Sequence, residues 1–152
     1  MRYWTLVPLR AASVDARLMQ ARHGGFSIYR RARSMTRQII IVEDDASQRR
    51  SLTRWAKVSG YEVFAFASAS AFLACDIHVR EGCLILDVGL PDIGGGELKR
   101  RLVARGRDLP TVFITALTDD EVAVALRGID APHVLRKPFD TTALEAAIEA
   151  VA

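Results

Sequence analysis

The 152-residue sequence predicts an α/β protein built on a doubly wound, five-stranded parallel sheet. Three observations carry that prediction. From residue 38 onward, short apolar runs alternate with amphipathic stretches, which is the pattern of stacked βαβ units. The first run, residues 39–42, is an uninterrupted IIIV, as a strand covered on both faces requires. Polar residues also gather immediately after the apolar runs, at the edge where an open parallel sheet carries its loops and crevice.

Each element follows from a local signal. Residues 39–42 form the first strand. Residues 46–59 form a helix with Leu52, Trp55, Ala56 and Ser59 on one face and Arg49, Arg50, Arg54 and Lys57 mostly elsewhere; Asp45 or Ser47 can cap it, and Gly60 ends it. Residues 61–67 read as the second strand, and residues 68–74 as a short helix opened by Ser68. The third strand is 83–88. A helix runs from Gly95 or Gly96 to 105, with Leu98, Leu102 and Val103 inward and Lys99, Arg100 and Arg101 more exposed. Residues 110–115 give the fourth strand, 119–127 the fourth helix and 133–135 the fifth strand. The last helix, 140–151, is capped by Thr141 or Asp140 and sets Leu144, Ala147, Ile148 and Val151 on one stripe. Phe64, Phe66 and Phe72 are expected in the core.

The net charge of +3 hides two opposite halves. Residues 1–37 hold eight arginines against one acid, Asp15, while the remainder is net negative, so the basic pI is no argument that the folded body binds nucleic acid. The leader, residues 1–36, lacks the unbroken apolar centre of a secretory signal and is expected to be a poorly ordered extension, or upstream of the native start at Met35. Nothing approaches the ~18 consecutive apolar residues of a membrane span. Cys75 and Cys83 form no CxxC, and the three histidines are scattered, so neither zinc nor a disulfide framework is indicated; a reducing, cytoplasmic setting fits.

The polar residues at the strand ends are Glu43, Asp44 and Asp45 after strand one, Asp87 after strand three, Thr115 after strand four and Lys137 with Pro138 after strand five. Singly, each has a plain structural explanation: a helix cap, a β-branched strand residue, a surface lysine. Jointly they converge on one rim. Three carboxylates brought together repel, and a hard divalent cation relieves that repulsion; oxygen donors without His or Cys suit Mg²⁺ rather than zinc. The turn after strand one has no glycines and no GxxxxGK[ST] loop occurs, which argues against the common nucleotide-binding motifs.

With IVEDD, DVGLPDIGGGEL, FITA and RKPF in this order, and with spacings of 43, 28 and 22 residues from Asp44 to Asp87 to Thr115 to Lys137, the sequence from residue 38 on resembles the receiver domain of bacterial two-component response regulators, the CheY-like family. The resemblance implies a flavodoxin-like strand order of 2-1-3-4-5 in a receiver domain spanning 37–152. It implies that Asp87 is the phosphoacceptor and that Glu43, Asp44, Asp87 and the backbone carbonyl of Gly89 hold Mg²⁺, with Asp45 outside that set. Thr115 would hydrogen-bond a phosphoryl oxygen, and Lys137 would pair with it, followed by a cis bond to Pro138. The donor would be a histidine kinase or histidine phosphotransfer protein, and the chain would catalyse only its own phosphorylation and dephosphorylation. Most family members carry an output domain after the last helix; with Ala152 ending this sequence, the expectation is a stand-alone receiver without a DNA-binding domain. It would act on a downstream protein, with a second copy of the chain among its candidate partners. FITA and RKPF lean toward the nitrogen-fixation type of regulator.

Two features depart from the family pattern. Val134 stands three residues before Lys137, where receivers usually place an aromatic, and the stretch from Gly128 to Lys137 is about two residues longer than usual. Acceptor chemistry should survive both, while the aromatic switching model loses its residue. Two alternatives stay open at this point: a receiver-shaped interaction module that takes no phosphate, and an aspartate-nucleophile phosphohydrolase. The second would want an acid where Gly89 stands.

Overall fold

The computed structural model describes residues 37–77, 79 and 82–151. The expectations for residues 1–36 lie outside these. Ten elements alternate strictly: β1 Gln38–Val42, α1 Ala46–Val58, β2 Glu62–Phe66, α2 Ala69–Ala74, β3 Gly82–Asp87, α3 Gly95–Ala104, β4 Thr111–Thr115, α4 Asp119–Ala125, β5 Val134–Arg136 and α5 Thr141–Val151. All strand pairings are parallel, in the order β2-β1-β3-β4-β5. The predicted doubly wound sheet is therefore the observed one.

Alternation of side chains along the central strands divides the core into two layers. Ile40, Val42, Leu84, Leu86 and Phe113 pack with Ala69, Phe72, Leu98, Leu102 and Leu126 on one side. Ile39, Ile41, Cys83, Ile85, Val112 and Ile114 pack with Leu52 and Ala56 of α1 and Leu144, Ala147 and Ile148 of α5 on the other. The continuous apolar runs of β1, β3 and β4 are needed because both faces are covered. Each fully buried Ile, Leu or Phe contributes about 1.5–3 kcal/mol of transfer free energy.

Helix ends follow local chemistry. Asp45 caps α1 by accepting from Gln48 N–H, Ser68 caps α2 through Ala71 N–H, Asp140 caps α5 through Ala143 N–H, and Thr118 with Glu121 makes a capping box on α4. α4 stops at Ala125, shorter than expected, as the chain turns toward Gly128 with φ 75°.

Three sequence expectations fail for physical reasons. Lys99 is buried, not exposed: from α3 its long side chain reaches the chain before β4, where Nζ donates to Asp108 at 2.5 Å, Leu109 O at 2.6 Å and Thr111 Oγ1 at 3.1 Å. Val103, expected inward, is 48% exposed because Leu98 and Leu102 already fill that side of α3. Of the three phenylalanines, only Phe72 is fully buried; Phe64 and Phe66 lie on the edge strand β2 and are half-buried.

Candidate functional site

The residues singled out at the strand ends meet on one edge of the sheet. β1 continues from Val42 into Glu43, whose N–H bonds Phe66 O, so the strand pairing carries the carboxylate to the edge with 0% exposure. β3 ends on Asp87, 6% exposed, and β4 on Thr115, 0% exposed. Lys137 follows β5; its N–H donates to Thr115 O at 2.8 Å, and its bond to Pro138 is cis.

The side chains then close a compact polar cluster. Lys137 Nζ donates to Glu43 Oε2 at 2.7 Å and to Asp87 Oδ2 at 2.8 Å. The second oxygen of each acid is also held: Glu43 Oε1 accepts from Asp45 N–H at 3.1 Å, and Asp87 Oδ1 from Gly89 N–H at 2.9 Å. Thr115 Oγ1 accepts from Leu117 N–H at 3.0 Å. The buried charges are thus paired and hydrogen-bonded, the condition under which an interior carboxylate persists.

Electrostatics follow burial. Loss of solvent, with Asp87 adding repulsion, raises the Glu43 carboxyl above its usual range, although Lys137 pulls the other way. Burial alone would lower Lys137, but hydrogen bonds to Asp87 and Glu43 outweigh it and raise the ammonium above its ordinary value. The lysine is a fixed cation at neutral pH.

Carboxylate oxygens of Glu43, Asp44 and Asp87 lie within 4.8 Å of one another. The donors are all oxygen, and Asp44 is exposed beside two buried acids, so a cation here would keep several waters. That chemistry fits Mg²⁺ and not zinc. Asp45, by contrast, spends its carboxylate on the α1 cap.

Three supporting features had no obvious sequence signal. Arg49 reaches back from α1 to donate to the carbonyls of Glu43 at 2.7 Å and Asp44 at 3.0 Å, fixing the backbone that presents the acidic pair. Asp92 caps α2 from another loop, accepting from Ser70 N–H at 2.8 Å and Ala69 N–H at 3.3 Å. Although desolvation opposes it, these bonds hold the Asp92 carboxyl well below the usual range. Gly95 lets α3 begin against the end of β3, since a Cβ there would sit 2.3 Å from Asp87 O.

Comparison with known proteins agrees with this architecture. Residues 39–149 match the response regulator receiver domain family. The transcriptional regulatory protein FixJ of Azorhizobium caulinodans is 36% identical over 110 residues, covering 72% of this chain and 52% of that protein. Among solved structures, FixJ-N superposes with a TM-score of 0.68 at 35% identity, covering 76% of this chain and 92% of that one. The response regulator StyR gives a TM-score of 0.68 at 38% identity, covering 75% and 58%. The chain spans about half the length of the curated relatives it matches.

Proposed function

The chain belongs to the response regulator receiver domain family, and from that premise we propose that Asp87 accepts a phosphoryl group from a phosphohistidine of a histidine kinase or phosphotransfer protein and that the resulting change of charge controls docking to another protein. The observation that carries this is the 2.8 Å contact between Lys137 Nζ and Asp87 Oδ2: a lysine just past β5 bonds a buried carboxylate at the end of β3.

In the transfer, an Asp87 oxygen forms a bond to phosphorus while the phosphorus–nitrogen bond of the donor breaks and the imidazole leaves with a proton. Gly89 N–H orients the carboxylate through Oδ1. Lys137 stands where negative charge spreads over the phosphoryl oxygens, and Thr115, whose oxygen already accepts from Leu117 N–H, has its own proton to donate to one of them. Glu43, Asp44, Asp87 and the carbonyl of Gly89 would hold Mg²⁺, which when bound neutralises charge on the transferring group. Attack of water on that phosphorus, breaking its bond to the Asp87 oxygen and releasing inorganic phosphate, makes the chain the catalyst of its own dephosphorylation as well.

Drawing Thr115 toward a phosphoryl oxygen would loosen its bond to Leu117 N–H, one residue before the Thr118 cap of α4. With Val134 in place of an aromatic, this backbone link offers a route from the acceptor to α4. A phosphorelay role places the chain in the cytoplasm. Among the described residues, no helix is long and apolar enough to cross a membrane.

Incubation with Mg²⁺ and acetyl phosphate, followed by intact-mass measurement, tests the proposal. One labile phosphoryl group is expected, absent from Asp87→Asn and strongly reduced by chelator. No adduct on the folded chain would leave an interaction module, and steady release of phosphate from phosphomonoesters would favour a hydrolase.

A further inference from the structure

Glu43 and Asp44 follow Val42, the last residue of β1 paired with β2 and β3, so the carbonyls of this acidic pair lie past the sheet ladder. One nitrogen serves both of them: Arg49 Nη1 donates to Glu43 O at 2.7 Å and to Asp44 O at 3.0 Å. Arg49 is in turn fixed in α1, where its N–H donates to Asp45 O at 2.9 Å and its carbonyl accepts from Thr53 Oγ1 at 2.7 Å. Those two carbonyls belong to the two planar peptide units that flank the Asp44 Cα, so a single guanidinium restrains both backbone angles of Asp44.

The three clustered acids differ in how they are held. Glu43 and Asp87 have partners on both carboxylate oxygens, so side-chain bonds place them. Asp44 is exposed, and among the described residues its carboxylate accepts no hydrogen bond. Its direction is therefore set through its backbone, which is the part that Arg49 grips.

Arg49 has two opposed effects on a cation held by Glu43, Asp44 and Asp87. Its charge repels the cation, while its hydrogen bonds keep Asp44 aimed before the cation arrives and so remove an ordering cost from binding. The magnitudes favour the second. Arg49 is only half-buried, so solvent and salt screen the repulsion, whereas loss of an outer partner of a metal ligand costs about 10- to 100-fold in affinity. We propose that Arg49 is a positioning residue for a divalent cation at this edge, raising its affinity by fixing the backbone of Asp44 although it carries the cation's own sign of charge. The inference rests on the proposed metal role of the three acids. It separates Arg49 from Arg50, the next cation of α1, which is exposed and donates no hydrogen bond among the described residues.

Titration of the full chain with Mg²⁺, followed by amide NMR, reads affinity and folding in the same spectra. Arg49→Met keeps the apolar stem but neither the charge nor the donors, and should weaken Mg²⁺ binding about tenfold or more. Arg49→Gln carries the same expectation, so misfolding of one variant does not leave the question open. Arg50→Met removes a charge alone and should hold the affinity within about threefold of the native chain, on the tighter side. In an Asp44→Asn background, Arg49→Met should cost less than about twofold more, because its effect runs through Asp44. A folded Arg49→Met or Arg49→Gln chain that binds Mg²⁺ as tightly as the native one, or more tightly, overturns the proposal. So does a full tenfold loss in the Asp44→Asn background, which would mark a general loosening of the edge. A native chain that binds no Mg²⁺ overturns the metal reading itself and this inference with it.

Discussion

The carboxyl edge of the sheet and the α4–β5 flank are neighbours built to opposite standards. At the edge, Glu43, Asp87 and Thr115 are almost wholly enclosed, and both oxygens of each acid have partners. On the flank, α4 has no buried residue, Val124 is 63% exposed, and the ion pair joining Arg136 to Asp119 lies in solvent. β5 is only three residues long. The difference teaches that the geometry around Asp87 is over-determined by packing, whereas the neighbouring helix is held by few contacts and can shift at small cost. Val134 and the loop after Gly128 both belong to this flank.

The largest effect expected at the edge is that of Lys137→Met, which leaves Glu43 enclosed without its cation. Removing one partner of such a pair costs about 3–5 kcal/mol. Urea unfolding at neutral pH without divalent cations measures it, and a loss well under 1 kcal/mol would mean that the edge is less dry than its geometry implies. Gly95→Ala should come next. The added methyl would stand 2.3 Å from Asp87 O, so the start of α3 or the end of β3 must move. Overpacking of this kind costs about 1–3 kcal/mol, and the rate of acetyl phosphate labelling should fall with it.

A smaller effect is the pH dependence set by Glu43. Its carboxyl is raised in the folded state, chiefly by burial, so its contribution is fully present below its unfolded value and is lost as pH rises through the folded one. With chelator present, native stability should decline as pH climbs from about 4.5, the ordinary glutamate value. Glu43→Gln should flatten that decline. Lys137, raised above 10.5, loses its contribution only at higher pH and does not interfere. A slope unchanged in Glu43→Gln would assign the titration elsewhere. Smallest of all, Val124→Ser on the flank should alter stability by no more than about 0.5 kcal/mol; a larger loss would show that α4 is packed more firmly than its exposure indicates.

The contrast also explains what was legible in the sequence. β1, β3 and β4 announced themselves because burial on both faces leaves apolar runs at their centres, and the rim followed because parallel strands deliver their carboxyl ends to one edge. Element ends shifted by a residue or two: β5 lies at Val134–Arg136 rather than 133–135, since strand limits depend on the neighbour's hydrogen bonds. Lys99 was misread because charge was taken as a sign of exposure, and its acceptors, Asp108 and Leu109 in a loop and Thr111 at the start of β4, are ones no periodicity could assign to it. Arg49 and Asp92 escaped for a related reason. Their partners are backbone groups, which every sequence has and none displays.

The acceptor assignment can be read directly by exposing the chain to acetyl phosphate and Mg²⁺, quenching with borohydride and mapping the peptides, because borohydride reduces an acyl phosphate to the alcohol at the residue that carried it. The reduced side chain should appear at position 87 and nowhere else. Reduction at Asp44 or Asp45, or a folded chain reduced at no position, would contradict the account.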